Sequence, residues 1–184
     1  MKILWLDKNI KYTGEQLSSL WLEHNVPAKG DSIIAFSGPA DVNEEYLVDL
    51  EDIAKKEFIY SEDMLHFIVE ISERNLGRAI ALQRLLIVQI KEQIEKMAGL
   101  KLLRFGDDLY ENKAKLTVSI ATLSPASSLI HVGLNISSKN TPLLTKGLAD
   151  YRIEPKNFAQ QILKIFQEEY VSMDKASRKV REVK

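Results

Sequence analysis

One stretch of the chain, residues 79–136, restricts the possible folds more than any other. It begins as a helix, because its apolar residues recur at spacings of three and four until Gly99. These apolar residues are Ala79, Leu82, Leu86, Ile90, Ile94 and Met97. Two segments follow, KLLRFGDDLYENKAKLTVSIAT and SSLIHVGLNISS, in which apolar and polar residues alternate as they do in half-buried strands. A long helix followed by a hairpin predicts an α+β fold.

The sheet of this fold is expected to be mostly antiparallel. Strands are predicted at residues 3–6, 31–37, 115–122 and 129–137. The second strand ends at the breaker pair Gly38–Pro39, and we expect the last three strands to share one sheet. The acid-rich segment 41–57 is compatible with a loop or with a strand around residues 46–49. The length of the chain predicts a single domain that spans residues 1–184.

Four helices accompany these strands. They are predicted at residues 15–23, 62–72 and 78–97, and from Pro155 onward. Ser61 has the character of an N-cap, because Glu62 and Asp63 follow it where the helix dipole favours anions. We expect helices 62–72 and 78–97 to pack their apolar faces on the sheet.

The composition excludes several classes of function. The chain has no cysteine, which excludes disulfides, thiolate metal sites and a cysteine nucleophile and favours a cytoplasmic location. Its net charge is −1, so nucleic acid is not expected as a partner. The locally basic tail DKASRKVREVK is either a solvated terminus or a contact for a partner. No stretch approaches the roughly 18 apolar residues of a membrane span, so no membrane association is expected.

A turn and the strand after it contain the most suggestive charged residues. Asp107 and Asp108 follow Gly106, and Lys115 opens the next strand. Successive side chains of a strand point to opposite faces, so one carboxylate is expected to face a site and the other to face solvent. The ammonium of Lys115 would lie where negative charge develops on a carbonyl or phosphate group. The alternative is a polar β-turn with an ordinary surface lysine.

The last predicted strand places three further candidates on one face. His131, Gly133 and Asn135 are two residues apart, so they can line one cavity, although a lone histidine is often structural. The predicted pocket is formed by Asp108, Lys115, His131 and Asn135, with Arg104 and His66 as outer candidates. In this pocket Lys115 would stabilise negative charge, Asp108 would orient Lys115 or a ligand amine, and Asn135 would donate to a carbonyl.

A third histidine-containing group depends on the helix predicted at residues 62–72. Asp63, His66 and Glu70 would share one stripe of that helix. A histidine held by carboxylates can serve as a general base or as a metal ligand, and such a stripe can also be a solvated face. We favour no metal site here.

Motifs distributed over nearly the whole chain resemble one prokaryotic family. They are GDSIIAFSGPADV, VDLEDI, SEDMLHFIVE, RFGDDLY, KLTVSIATLSPASSLIHVGLN and KVR. The chain is identified by them as a member of the family called domain of unknown function 366, whose name implies no activity. Members of this family often have a cysteine where this chain has Ala40, and this departure argues against an obligatory cysteine chemistry here.

Residues 79–136 also resemble a second, broader group, the biotin–protein ligase, lipoate–protein ligase and octanoyltransferase superfamily. Its KWPNDI-like turn corresponds to RFGDDL at residues 104–109, and its motif lysine corresponds to Lys115. Its GIGINV-like strand corresponds to HVGLNIS through Gly133 and Asn135. The resemblance implies a fold related to class II aminoacyl-tRNA synthetases and a lysine that contacts the acyl group or acyl-adenylate.

The chain departs from these ligases before residue 79. It has neither their arginine- and glycine-rich nucleotide loop nor another phosphate-loop motif, and AFSGPADV is the nearest small-residue turn. The sequence therefore does not identify a cofactor. The first functional hypothesis is an acyl-, biotin- or lipoate-type transferase or ligase that acts on a small carboxylic acid and a carrier protein.

The second hypothesis is a non-enzymatic, homodimeric binding module that has lost the nucleotide loop. A homodimer is expected because sheets of this kind leave an edge strand, here either residues 3–6 or the final hairpin. Three large aromatic residues near the N-terminus, Trp5, Tyr12 and Trp21, are expected to stay partly uncovered in a monomer.

Overall fold

A computed structural model of the chain describes residues 1–25, 27, 30–55, 59–141 and 143–183. The strands are β1 (Lys2–Asn9), β2 (Ser32–Asp41), β3 (Tyr60–Ile71), β4 (Leu103–Phe105), β5 (Asp108–Glu111), β6 (Ala114–Lys115), β7 (Thr117–Leu123) and β8 (Ser128–Asn135). The α-helices are α1 (Trp21–Asn25), α2 (Leu50–Lys55), α3 (Leu76–Ala98) and α4 (Pro155–Ser177), and short 3₁₀ turns lie at Glu44–Tyr46 and Leu148–Tyr151. In this part of the chain, no helix has both the length and the apolar character needed to cross a membrane.

Five strands form the main sheet, in the order β1-β2-β3-β8-β7. β1 is parallel to β2, and the other neighbouring pairs are antiparallel. The predicted α+β class and mostly antiparallel sheet are therefore confirmed, as is the placement of β2, β7 and β8 together. A second sheet, β4-β5-β6, divides the predicted strand 115–122, because Lys115 ends β6 and β7 begins at Thr117.

The two long helices pack on one face of the main sheet, as expected for helix 78–97. α3 begins after Asn75, whose Oδ1 accepts the backbone N–H of Arg78, and ends at Gly99 in the left-handed conformation. α4 begins at the predicted Pro155, where the carboxylate of Glu154 accepts two N–H groups of the first turn. Apolar residues of both helices and of the sheet form the larger core.

The helix predicted at residues 62–72 is wrong, because this segment is β3, the central strand of the main sheet. Its apolar residues do not alternate, since both faces of the strand are buried. Leu65 and Phe67 belong to the core beneath the helices, whereas Ile68 belongs to a smaller core on the opposite face. Ser61 consequently lies within β3 and is not a helix cap.

Two other local predictions are also wrong. Residues 15–20 form turns, so only α1 remains of the helix predicted at residues 15–23. The acid-rich segment 41–57 contains a 3₁₀ turn and α2 where a loop or a strand was expected. Residues 56 and 57 at its end lie outside the described part of the chain.

The breaker pair Gly38–Pro39 does not end β2, which continues to Asp41. The register with β3 shifts between Gly38 and Ala40, so Pro39 lies at a bulge. A bulge leaves one residue out of the hydrogen-bond ladder, and proline has no N–H to contribute to that ladder. The strand therefore accommodates the proline and keeps its direction.

The sheet face opposite α3 and α4 carries the smaller core. Tyr12, Leu22 and Val42 come from the segments that flank β2, and they pack on Ile34 and Phe36 of this strand. These segments cover β2 and part of β3. A cleft lies beside them over β7 and β8.

Candidate functional site

The cleft consists of two adjoining cavities, a first lobe of about 170 Å³ and a second lobe of about 120 Å³. The first lobe is lined by Tyr12, Leu17, Val42, Tyr46, Leu47, Val48, Asp49, Asp52, Ile59, Asp107, Asp108, Lys115, Val118, Ser119, Ile120 and His131. The second lobe is lined by Asp52, Ile59, Tyr60, Met64, Lys115, Thr117, Val118, Asn135, Thr141, Leu143 and Thr145. Lys115 borders both lobes, so it lies where they meet.

Lys115 is held by an ion pair and by its backbone. Its Nζ lies 2.9 Å from Oδ2 of Asp108, and both side chains are about three-quarters buried. Its backbone N–H donates to the carbonyl of Leu144, and its own carbonyl accepts from the N–H of Lys146. The strand end that carries Lys115 is therefore fixed against the segment that borders the second lobe.

The ion pair changes the protonation of both partners. Burial raises the pKa of Asp108, and the hydrogen bond from Lys115 offsets this only in part. Burial lowers the pKa of Lys115, but the hydrogen bond and negative charge of Asp108 outweigh it and leave the pKa raised. Lys115 is thus a stable cation whose charge is partly compensated. A ligand anion must share this lysine with Asp108.

Asp107 is tied to α3. One of its carboxylate oxygens accepts from Nε2 of Gln83 and Oγ of Ser119, at 2.8 and 2.9 Å. The other lies 2.9 Å from Nη1 of Arg84, in an ion pair that lacks hydrogen-bond alignment. Asp107 and Asp108 therefore have different partners, although both line the first lobe.

His66 and His131 form a buried pair across β3 and β8. Nδ1 of His66 lies 3.1 Å from Nε2 of His131, and Nε2 of His66 lies 3.2 Å from the carbonyl oxygen of Gly38. Tyr12 stacks on His131 with ring centroids 3.8 Å apart. Burial lowers the pKa of His66 to about 3, and burial with the neighbouring His66 lowers the pKa of His131. Both imidazoles are neutral near pH 7.

The predicted stripe of Asp63, His66 and Glu70 does not exist, because these residues lie on a strand. His66 has both ring nitrogens occupied and is not among the residues that line the cleft. Oε1 of Glu70 accepts from the N–H of Leu20 and from Oγ of Ser127, away from the imidazole pair. Within the described residues, no group of three or more histidine, aspartate or glutamate side chains is arranged to hold a metal ion.

Gly133 and Asn135 lie on the cleft side of β8. A Cβ atom at Gly133 would come within 2.3 Å of Sδ of Met64, so a glycine at this position leaves room for the methionine side chain. Asn135 is 5% exposed and lines the second lobe. No residue of the described ranges hydrogen-bonds the side-chain amide of Asn135.

The structure therefore brings together most of the residues predicted for the site. Asp107, Asp108, Lys115 and His131 line the first lobe, and Lys115 and Asn135 line the second. Arg104 does not join them, because its side chain is exposed and donates to the carbonyl of Gly106.

Tyr12, Asp49 and Asp52 are among the cleft residues that were not predicted from the sequence. Tyr12 was expected to stay partly uncovered, but it is 3% exposed and stacks on the imidazole pair. Asp49 and Asp52 come from the acid-rich segment, where Asp49 accepts the N–H of Glu51 at the start of α2. Nothing in that segment distinguishes these two aspartates from their acidic neighbours.

The fold is similar to that of ligases whose structures contain bound biotin or lipoic acid. A biotin protein ligase from Aquifex aeolicus, in complex with biotin and ATP, superposes with a TM-score of 0.60 at 16% identity, over 91% of this chain and 69% of that one. A putative lipoate protein ligase from T. acidophilum with bound lipoic acid gives a TM-score of 0.56 at 14% identity, over 94% and 86% of the two chains. These similarities establish the class of fold.

The chain belongs to the family described as Domain of unknown function (DUF366), whose model matches residues 1–181. A protein of unknown function from Pyrococcus horikoshi is 35% identical, with a TM-score of 0.94 over 100% of this chain and 99% of that one. An uncharacterized protein from Methanocaldococcus jannaschii is 36% identical over 143 residues, 76% of this chain. The matched region spans 65% of that relative's length.

Proposed function

We propose that the cleft binds a small carboxylic acid or acyl group, with its carboxyl or carbonyl end at Lys115. The observation that carries this proposal is the position of Lys115, which borders both lobes and is the only lysine or arginine among their described lining residues. The structural neighbours that bind biotin and lipoic acid support an acid as the ligand.

The activity that we propose is transfer of the acyl group from an activated donor, an acyl thioester or an acyl-adenylate, to an amine of a carrier protein. The amine nitrogen forms an amide bond with the acyl carbon, the bond from that carbon to the thiol or adenylate breaks, and the departing thiol or AMP leaves with the electron pair as the amine loses its proton. Lys115 stabilises the negative charge that develops on the carbonyl oxygen, which is the effect that catalytic cations and oxyanion holes supply. Asp108 orients the ammonium of Lys115 through their ion pair, and the side-chain amide of Asn135 donates to the acyl carbonyl from the second lobe. His66 acts only by positioning His131.

A non-enzymatic binding module is the second candidate, and it is favoured by the charge of the cleft. Asp49, Asp52, Asp107 and Asp108 line the first lobe, and Lys115 is the single lysine among its described lining residues. Among the described lining residues Lys115 is the single cation that could bind the phosphates of a nucleoside triphosphate. The segment AFSGPADV, the nearest to a nucleotide loop, lies mostly within β2.

A thermal-shift screen with biotin, lipoate, an acyl-CoA and ATP tests the proposal. A ligand that binds only the folded chain raises the melting temperature, by roughly 5 °C or more at about a hundredfold excess over its Kd. We expect a shift with biotin or lipoate, and the acyl-CoA tests whether an acyl thioester binds as well. A further shift with ATP supports the ligase, whereas an acid shift without any effect of ATP supports the binding module or an ATP-independent transferase. No shift with any acid contradicts the proposal.

We also propose that the chain forms a homodimer through β1. This strand is one edge of the main sheet, and its residues are exposed or half-buried, including Ile3 and Trp5. An uncovered edge strand presents free N–H and C=O groups that a second copy can pair with. A two-fold axis beside β1 would continue the sheet from one protomer into its partner.

A further inference from the structure

The first lobe is lined by the imidazole of His131, and the neighbouring groups determine which of its ring nitrogens carries the proton. The carbonyl of Gly38 can only accept a hydrogen bond, so Nε2 of His66 carries the proton and donates to it across 3.2 Å. Nδ1 of the neutral His66 is then an acceptor, and Nε2 of His131 donates to it across 3.1 Å. The remaining ring nitrogen of His131, Nδ1, is therefore an acceptor.

This acceptor belongs to a ring that is almost completely enclosed. His131 is 2% exposed, lines the first lobe and is held in its plane by the stacked ring of Tyr12. Within the described ranges, no protein group hydrogen-bonds Nδ1 of His131, and the hydroxyl of Tyr12 has no partner either. A ligand that fills the lobe shields this nitrogen from solvent, so a ligand without a donor would leave the acceptor unsatisfied, which is costly, whereas a ligand with a donor would not.

The other polar groups of the lobe add a constraint on charge. The described lining contains four carboxylates, and the neutral His131 offers no charge to attract a negatively charged group. The only described cation of the lining, Lys115, lies where the two lobes meet. A carboxylic acid thus has its anionic end at Lys115 and a neutral or cationic end within the first lobe.

We infer that the first lobe selects acids whose far end carries a hydrogen-bond donor, such as an amide, urea or ring N–H or a hydroxyl, for Nδ1 of His131. This inference rests on the proposed binding of an acid at Lys115. It narrows the ligand class, because a hydrocarbon tail or a dithiolane ring has no such donor. Sites built to accept a hydrogen bond discriminate strongly against analogues that lack the donor.

Calorimetric titration of the full chain with two matched probes tests this inference. The probes are octanoate and its ω-hydroxyl analogue, which differ only by a donor at the far end, with lipoate and biotin as a second donor-free and donor-bearing pair. We expect the donor-bearing acids to bind at least about tenfold more tightly than their donor-free counterparts.

The variant His131→Phe keeps an aromatic ring beside Tyr12 but removes the acceptor. It should bind octanoate and the hydroxyl analogue with equal affinity, while Lys101→Met, a change on the surface, should retain the preference. If acids bind to the natural chain without a preference for the donor, this inference is overturned and the proposed function stands. If none of the four acids binds, both are overturned. If His131→Phe does not fold, the titrations of the natural chain with the four acids still distinguish these outcomes.

Discussion

The buried imidazole pair shows how single residues connect burial, protonation and stability. A charged His66 would face the low dielectric of the interior with only the Gly38 carbonyl to stabilise it, so burial lowers its pKa from 6.5 to about 3. The neutral form fixes the hydrogen-bond direction along the pair and thereby leaves Nδ1 of His131, a residue that lines the first lobe, as an acceptor. The binding properties of His131 thus depend on a residue outside the cleft.

The same shift makes the stability depend on pH. Below pH 6.5 the unfolded chain binds a proton at His66 that the folded chain excludes, so the stability falls as the pH falls towards about 3. The variant His66→Gln, which does not titrate, should reduce this slope by up to about 1.4 kcal/mol per pH unit. Urea unfolding between pH 4.5 and pH 7.5 measures the slope. The exposed His24→Gln is the control, and equal slopes in all three proteins would contradict the assignment.

At the level of elements, the sequence predicts best those segments in which apolar residues recur with a clear period. α3 and α4 have this period because one side of each helix packs and the other does not. In β7 and β8 polar and apolar residues alternate, although β8 is buried along its whole length. β3 was predicted as a helix because both of its faces are buried, so its apolar residues lost the alternation of a strand. The turn aspartates and Lys115 were found from their motif, whereas Tyr12 reaches the cleft only through tertiary packing.

The close approach of β2 to the end of β1 gives a prediction at this scale. A Cβ atom on Gly38 would lie 2.0 Å from the carbonyl oxygen of Ile10, so Gly38→Ala must displace backbone. We expect a loss of at least about 2 kcal/mol in the free energy of unfolding, measured in urea. Gly77→Ala in the first turn of α3 is the matched control, because its Cβ has ordinary contacts and alanine favours a helix. An equal effect of both substitutions would show that the approach is not tight.

For the whole molecule, the uncovered edge at β1 leads to a prediction about assembly. Light scattering at micromolar concentration should give a mass near twice 21.0 kDa, the mass of one chain. In such a dimer, Ile3→Lys would bring the lysine of one protomer close to the same lysine of its partner, near the two-fold axis. The two charges repel each other, so this variant should shift the mass to that of the monomer. Ile80→Lys, at a similarly exposed position of α3, should leave the dimer intact. A mass near 21.0 kDa for the natural chain would refute the dimer.

The central claim is that an acid binds with its carboxyl end at Lys115. Its most direct test is calorimetric titration of Lys115 variants with the acid that gives the largest thermal shift in the screen. Removal of Lys115 alone would leave Asp108 buried without its partner, so the informative variant is Lys115→Met combined with Asp108→Asn. We predict that this double variant folds and binds the acid at least about tenfold more weakly, whereas Lys101→Met and Arg104→Met bind it like the natural chain. Equal affinity for the double variant and the natural chain would contradict the account.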